Sequence, residues 1–163
     1  MTQSTAAMTL AAKVLTVSDG VVAGTRDDAS GRALADLLNA SGFEVVATRV
    51  VADGAESVSA ALTEMSESFV GLIVSTGGTG FAPRDQTPEG TREVIEREAP
   101  GLAEAMRLVS PLGRLSRGIV GIRGKAVICN TPGSPKGCVE QLQAIIDVLP
   151  HALRLLADLP TSH

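Results

Sequence analysis

The run Val70–Ser75 (VGLIVS) leaves the chain few folds to choose from. Both of its faces are apolar, so a strand built from it must be covered on both sides. Lys13–Ser18 and Lys125–Cys129 have the same short, β-branched, apolar character, and Glu44–Val51 is a further strand. Segments with helical spacing lie between them. Arg32–Ala40 sets Ala33, Leu34, Leu37 and Leu38 on one face, with Asp28 or Ser30 as its cap and Gly42 as its stop. Ala55–Ser66 turns Val58, Ala61, Leu62 and Met65 inward. Thr87-Pro88 predicts a helix start with Thr87 as N-cap, and Val94 and Ile95 carry that helix inward. Pro100-Gly101 opens a short helix through Arg107, whereas Ser110–Arg117 takes no assignment. Ser134-Pro135 opens another helix, striped by Val139, Leu142, Ile145, Ile146 and Leu149. Pro150 either ends that helix or begins a new one reaching about Leu159. Strands alternating with helices predict an α/β fold: three αβα layers around a mostly parallel sheet. Ile119–Ile122, joined through Arg123-Gly124 to Lys125–Cys129, predicts a hairpin whose first strand is antiparallel.

The 163 residues amount to one domain, assigned to 11–160 behind a loose N-terminal tail at 1–10. That tail lacks the basic and apolar regions of a secretory signal. No stretch approaches the ~18 consecutive apolar residues of a membrane span. A net charge of −4, and aromatics limited to Phe43, Phe69 and Phe81, argue against a nucleic-acid binder, which needs excess cations and stacking surfaces. Cys129 and Cys138 make no disulfide framework, so a reduced, cytoplasmic setting is expected, with both thiols buried and inert. His151 and His163 are placed for neither histidine-based catalysis nor a His-rich metal site.

Parallel sheets bind ligands beyond the carboxyl ends of their strands. Four polar segments follow predicted strands directly: Ser18-Asp19-Gly20, Ala52-Asp53-Gly54, Thr76-Gly77-Gly78-Thr79-Gly80, and Thr131 to Gly137. Parallel strands bring all four to one edge. Thr76–Gly80 reads as a tight turn or as a loop whose backbone N–H groups approach a phosphate; it fits neither a P-loop nor G-x-G-x-x-G. Ser134-Pro135-Lys136 puts a hydroxyl, free amides and an ammonium at a helix start, which reads as an ordinary cap or as an anion site. Asp53 and Asp85 are the carboxylates singled out. With phosphate oxygens they suit Mg²⁺; as plain structure, Asp53 is a turn residue and Asp85 a cap or a partner of Arg84. Asp19 shares that ambiguity, and Asp27 and Asp28 read as a solvated helix start. Glu104 and Arg107 stand at i,i+3, an ordinary surface pair unless Arg107 reaches an anionic substrate. Arg26, Arg84 and Lys136 are further cations in reach of such a site.

Taken together, Ser18-Asp19-Gly20, Asp28-x-Ser30-Gly31, Asp53, Ser75 to Gly80, Arg84-Asp85-x-Thr87-Pro88-Glu89, Glu104-x-Met106-Arg107 and Pro132-Gly133-Ser134-Pro135-Lys136 resemble the MoaB/Mog family of molybdenum cofactor biosynthesis proteins. The resemblance covers roughly residues 11–158. It implies a molybdopterin adenylyltransferase, which transfers AMP from ATP to the terminal phosphate of molybdopterin and releases pyrophosphate. It further implies Mg²⁺, ATP as co-substrate, a homotrimer, and a molybdenum insertion enzyme downstream. The family's two important aspartates match Asp53 and Asp85, as catalytic residues and metal ligands. Its substrate-binding loops match Gly77–Gly80 and Ser134–Lys136, and Ser18–Gly20, Thr76, Thr87, Glu104, Arg107, Pro132 and Gly133 fall within the shared motifs. A non-catalytic relative that holds and delivers molybdopterin is an alternative within the same family. A phosphoacceptor signalling domain fits less well, because Asp19 stands alone where such domains place an acidic pair.

Overall fold

The structure, a computed structural model, describes residues 8–161. Six strands form one sheet in the order β2-β1-β3-β6-β5-β4. They are β1 (Leu10–Val17), β2 (Phe43–Val51), β3 (Gly71–Thr76), β4 (Arg97–Glu98), β5 (Val120–Arg123) and β6 (Ala126–Thr131). The helices are α1 (Asp19–Val22), α2 (Ala29–Ala40), α3 (Ala55–Ser66), α4 (Thr87–Val94), α5 (Pro100–Arg107), α6 (Pro135–Gln143) and α7 (Leu149–Leu156). A 3₁₀ helix covers Pro111–Leu115.

β1, β2, β3 and β6 run parallel, and β5 runs antiparallel to both β6 and β4. Every residue of β3 and β6 is buried, as strands apolar on both faces require. Side chains alternate across the sheet. Val14, Leu72, Val74, Val127 and Cys129 face one layer, where Leu34 and Leu38 of α2, Met106 of α5, Leu142 of α6 and Leu153 of α7 complete the core. Leu15, Val17, Ile73 and Ile128 face the other layer, with Val58, Ala61, Leu62 and Met65 of α3 and Val94 of α4. Each such side chain contributes roughly 1.5–3 kcal/mol by leaving water.

Several boundaries differ from those expected. β1 starts at Leu10, and Met8 and Leu10 pack on the core. Residues 1–7 of the expected tail lie outside the described residues. Thr87 is not a cap: Gln86 holds that position and makes no side-chain cap bond. α1 replaces an expected loop, and Ser18 closes it by accepting a hydrogen bond from the Val21 N–H. β4 has no counterpart among the expected strands, since two charged residues carry no strand periodicity and owe their conformation to pairing with β5. Asp28, rather than Ser30, caps α2. Ser110 caps the 3₁₀ helix, in the stretch whose sequence takes no assignment. α6 ends at Gln143, and Pro150 stands in the first turn of α7.

Asn130 ties the layers together at the carboxyl end of β6. Its Nδ2 donates to the Ser75 and Thr91 hydroxyls, both at 3.0 Å, and its Oδ1 accepts from the Ile119 N–H at 3.1 Å. The side chain is buried, so removing it orphans those partners away from water. Asn130→Ala should cost about 2–3 kcal/mol, read as a lower midpoint of urea unfolding with an unchanged slope.

Candidate active site

The sheet order reverses between β1 and β3: β2 lies on one side of β1 and β3 on the other. Loops leaving β1 and β3 therefore diverge and open a crevice, the usual ligand position in a parallel sheet. A cleft of about 630 Å³ occupies it.

Of the sequence-selected residues, Ser18, Asp53, Thr76, Gly77, Gly78, Thr79, Gly80, Asp85, Pro132, Gly133 and Ser134 line this cleft. The β3 and β6 loops are stapled to each other. The Thr76 hydroxyl donates to the Pro132 carbonyl at 2.7 Å, and the Thr131 hydroxyl donates to that of Ser75 at 2.8 Å. Gly77 and Gly78 have φ of +100° and +69°. A Cβ on Gly77 would stand 2.2 Å from the Val17 carbonyl oxygen, and one on Gly78 2.2 Å from the Thr87 hydroxyl. Only glycine meets both demands. Thr87 holds this loop from beneath: its hydroxyl donates to the Gly77 carbonyl at 2.9 Å and its N–H to that of Gly78 at 3.0 Å.

Asp19 and Asp53 clasp each other's loops. The Asp19 N–H donates to Asp53 Oδ2 at 2.9 Å, and the Asp53 N–H donates to Asp19 Oδ1 at 3.1 Å. Arg84 closes the clasp with two bonds to the Asp19 carboxylate, at 2.7 and 3.0 Å, and one to the Asp53 carbonyl at 3.1 Å. Arg84 thus serves Asp19, not Asp85, and its guanidinium holds the Asp19 carboxyl below the usual carboxylate range. Desolvation pushes the Asp53 carboxyl up, and the negative charges of Asp19 and Asp85 add to the rise. Of Asp53 and Asp85, one oxygen apiece is engaged, Asp53 Oδ2 by the Asp19 N–H and Asp85 Oδ2 by the Ala82 N–H at 3.0 Å. The other oxygen of each accepts no hydrogen bond from the described residues.

The described residues contain no cluster of three or more His, Cys, Asp or Glu side chains able to hold a metal unaided. Two carboxylates with one free oxygen apiece, beside a loop suited to phosphate, are the donor set of a cation that keeps waters and takes substrate oxygens. Mg²⁺ fits that description.

Other sequence-selected residues stand elsewhere. Gly20 lies behind the rim in α1, and Thr87 is wholly buried. Lys136 is solvent-exposed beside Glu140, at 3.8 Å, while Ser134 caps α6 by accepting from the Gly137 N–H at 3.0 Å. Arg107 donates to the Gly118 carbonyl at 2.7 Å and lines a second cavity of about 300 Å³; Glu104 is exposed on α5 and lines neither. Residues not selected include Thr16, Val21 and Ser30, which complete the cleft wall together with Arg26 and Asp27. Thr16 lies near the end of β1 and Val21 follows that strand, so position was their only signal, whereas Ser30 stood in the Asp28-x-Ser30-Gly31 motif. Cys129 and Cys138 are free and buried, and desolvation raises their thiols to about 12 and about 11, so neither is a nucleophile here.

A match to the family described as "Probable molybdopterin binding domain" spans residues 13–151. The chain belongs to the MoaB/Mog family of molybdenum cofactor biosynthesis proteins. The molybdopterin adenylyltransferase of Helicobacter pylori (strain J99) is 38% identical over 153 residues, covering 88% of this chain and 85% of that protein. The molybdopterin adenylyltransferase of Escherichia coli K12 is 37% identical over 147 residues, covering 85% and 75%. The solved structure of MoaB from Thermus thermophilus, described as a molybdopterin biosynthesis enzyme, superposes with a TM-score of 0.86 at 45% identity, covering 94% of this chain and 99% of that one.

In this MoaB/Mog chain the electrostatics of Asp53 bear on stability. A carboxyl whose folded-state pKa lies above its unfolded value adds stability below the unfolded value and loses it as pH rises through the folded one. At neutral pH the ionised Asp53 therefore works against the unliganded fold. Asp53→Asn keeps an oxygen for the Asp19 N–H and removes the charge. It should raise the melting temperature without substrates by about 1–3 °C at pH 7, with the gain vanishing toward pH 4, as calorimetry would show.

Proposed function

We propose that this chain is a molybdopterin adenylyltransferase of molybdenum cofactor biosynthesis. One observation carries the reading: Asp53 and Asp85 share a cleft with a loop whose glycines leave its backbone bare. The relatives' names point the same way.

In the reaction, an oxygen of molybdopterin's terminal phosphate attacks the α-phosphorus of ATP, and the bond from that phosphorus to the pyrophosphate oxygen breaks. Such transfers depend on positioning and charge neutralisation rather than on a side-chain nucleophile. The loop Gly77–Gly80 and the helix start at Ser134–Lys136 flank the phosphates; the Gly77 N–H is taken by the Thr131 carbonyl, which leaves the N–H groups of Gly78, Thr79, Gly80, Ser134 and Lys136 to face them. Lys136, free to move at the surface, adds positive charge. Asp53 and Asp85 would hold Mg²⁺. When bound, the cation offsets phosphate charge and aligns the reacting oxygens. Ser18 and the Asp19–Arg84 clasp close the β1 side of the cleft. Glu104 and Arg107 stand apart, so a substrate role for them requires a ligand that extends beyond the cleft.

The same reading includes a homotrimer, supported by the family resemblance and by exposed Leu108, Leu112 and Leu115, apolar surface that another copy could cover. It also includes a molybdenum insertion enzyme that takes the adenylylated product. Two free buried thiols, and the lack among described residues of a helix able to cross a membrane, support a cytoplasmic setting.

Asp85→Asn should lower pyrophosphate release from ATP and molybdopterin by about 100-fold or more, while molybdopterin binding changes less than about threefold. Removing divalent cations with a chelator should abolish release, and Mg²⁺ should restore it. Protons compete with the cation at Asp53, whose carboxyl titrates above the ordinary value near 3.9. The Mg²⁺ concentration for half-maximal rate should therefore rise as pH falls into the acidic range. Wild-type release by Asp85→Asn would remove that residue from the reaction.

A further inference from the structure

The Ala82–Asp85 turn, which carries the Asp85 carboxylate into the cleft, has few restraints of its own. Within it, the Asp85 N–H donates to the Ala82 carbonyl at 2.9 Å and the Ala82 N–H to Asp85 Oδ2 at 3.0 Å. Phe81, Ala82, Pro83 and Arg84 are all exposed, so no core packing fixes this segment. Arg84 ties its middle to Asp19 and to the Asp53 carbonyl, and one side chain from a distant stretch of the chain fixes its two ends.

Arg117 lies between the 3₁₀ helix and β5. Its Nε donates to the Gly80 carbonyl at 2.8 Å, and its Nη2 donates to the Asp85 carbonyl at 2.5 Å. Its backbone N–H donates to the Thr79 carbonyl at 2.9 Å. Its Nη1 forms a close charged bond to Glu89 Oε1, in the first turn of α4. The planar guanidinium thereby spans the start and the end of the segment that aims Asp85. A lysine offers its three donors from a single nitrogen and could not span both carbonyls in a fixed planar geometry. Arg117 does not line the cleft; it borders the second cavity on the far side of the loop. It therefore acts on substrates through the loop and not by touching them.

We propose that Arg117, oriented by Glu89, is the positioning residue that sets the Asp85 carboxylate in the cleft. Its functional consequence rests on the adenylyltransferase reading; its structural consequence does not.

Two measurements on the full chain separate these. The first is amide hydrogen exchange without substrates. Arg117→Gln should speed exchange at Ala82 and Asp85 by about 10- to 100-fold, leaving amides of β3 and β6 protected as in wild type. Glu89→Gln keeps the guanidinium but loosens its tether, and should give the same pattern at smaller amplitude. The second is steady-state AMP transfer. Arg117→Gln and Arg117→Lys should both lower kcat by about tenfold or more and raise the Mg²⁺ requirement, with KM for molybdopterin within about threefold. Should Arg117→Gln fail to fold, Arg117→Lys and Glu89→Gln carry the test. Wild-type exchange at Ala82 and Asp85 in the folded variants overturns the proposal. So does faster exchange with unchanged kcat and Mg²⁺ dependence. If the wild-type chain itself transfers no AMP, the adenylyltransferase reading fails, and the exchange data alone decide whether Arg117 holds the turn.

Discussion

Where β3 ends, the chain passes over the end of β1 with no room for a side chain. A Cβ on Gly77 would stand 2.2 Å from the Val17 carbonyl oxygen. This close approach carries the β3 loop across the crevice at the switch point of the sheet, rather than away from it. The rest of the cleft is arranged around that crossing. Thr87 grips the glycine carbonyls from below, Thr76 ties the loop to Pro132, and Arg117 holds Thr79 and Gly80 from behind. The loop is thus bonded on three sides by protein while its cleft face stays bare, which is the arrangement phosphate recognition requires.

Charge is handled differently from cation-rich phosphate sites. The chain is acidic; Arg26 lines the cleft, but the two arginines that brace its loops are already engaged. Arg84 is committed to Asp19, and Arg117 to Glu89 and two carbonyls. Exposed pairs of this kind add little stability, on the order of 0–1 kcal/mol each. Their effect is geometric: they fix loops that carry Asp53 and Asp85. Under the proposed adenylyltransferase reading, the neutralisation of substrate phosphates would fall to amides, to Arg26 and Lys136, and to a cation brought with the substrate. The cost is visible at Asp53, whose carboxylate is desolvated beside two like charges.

Much of this was legible in the sequence, because its physical causes are local. Strands apolar on both faces had to be central, and β3 and β6 are. Proline after serine marked the start of α6, and the glycine run marked the loop. The convergence of Ser18, Asp53, Thr76–Gly80 and Pro132–Ser134 followed from parallel strands alone. What sequence reasoning missed depends on partners far away in the chain. β4 exists through its pairing with β5. Thr87 looked like a cap, but its hydroxyl answers to Gly77, ten residues earlier. Arg117 fell in a stretch without periodicity, and the partners of its side chain lie 28 to 37 residues before it. Arg84 next to Asp85 suggested a local pair, whereas the better geometry was with Asp19, across the cleft rim.

The central claim is that this cleft moves AMP, and not a terminal phosphoryl group, from ATP to a pterin phosphate. Following two isotopic labels through one turnover tests it most directly. With molybdopterin and Mg²⁺ present, label on the α-phosphate of ATP should appear on the pterin product, and label on the γ-phosphate should appear in pyrophosphate. Transfer of the γ-label to the pterin, or binding of molybdopterin with no consumption of ATP, would contradict the account.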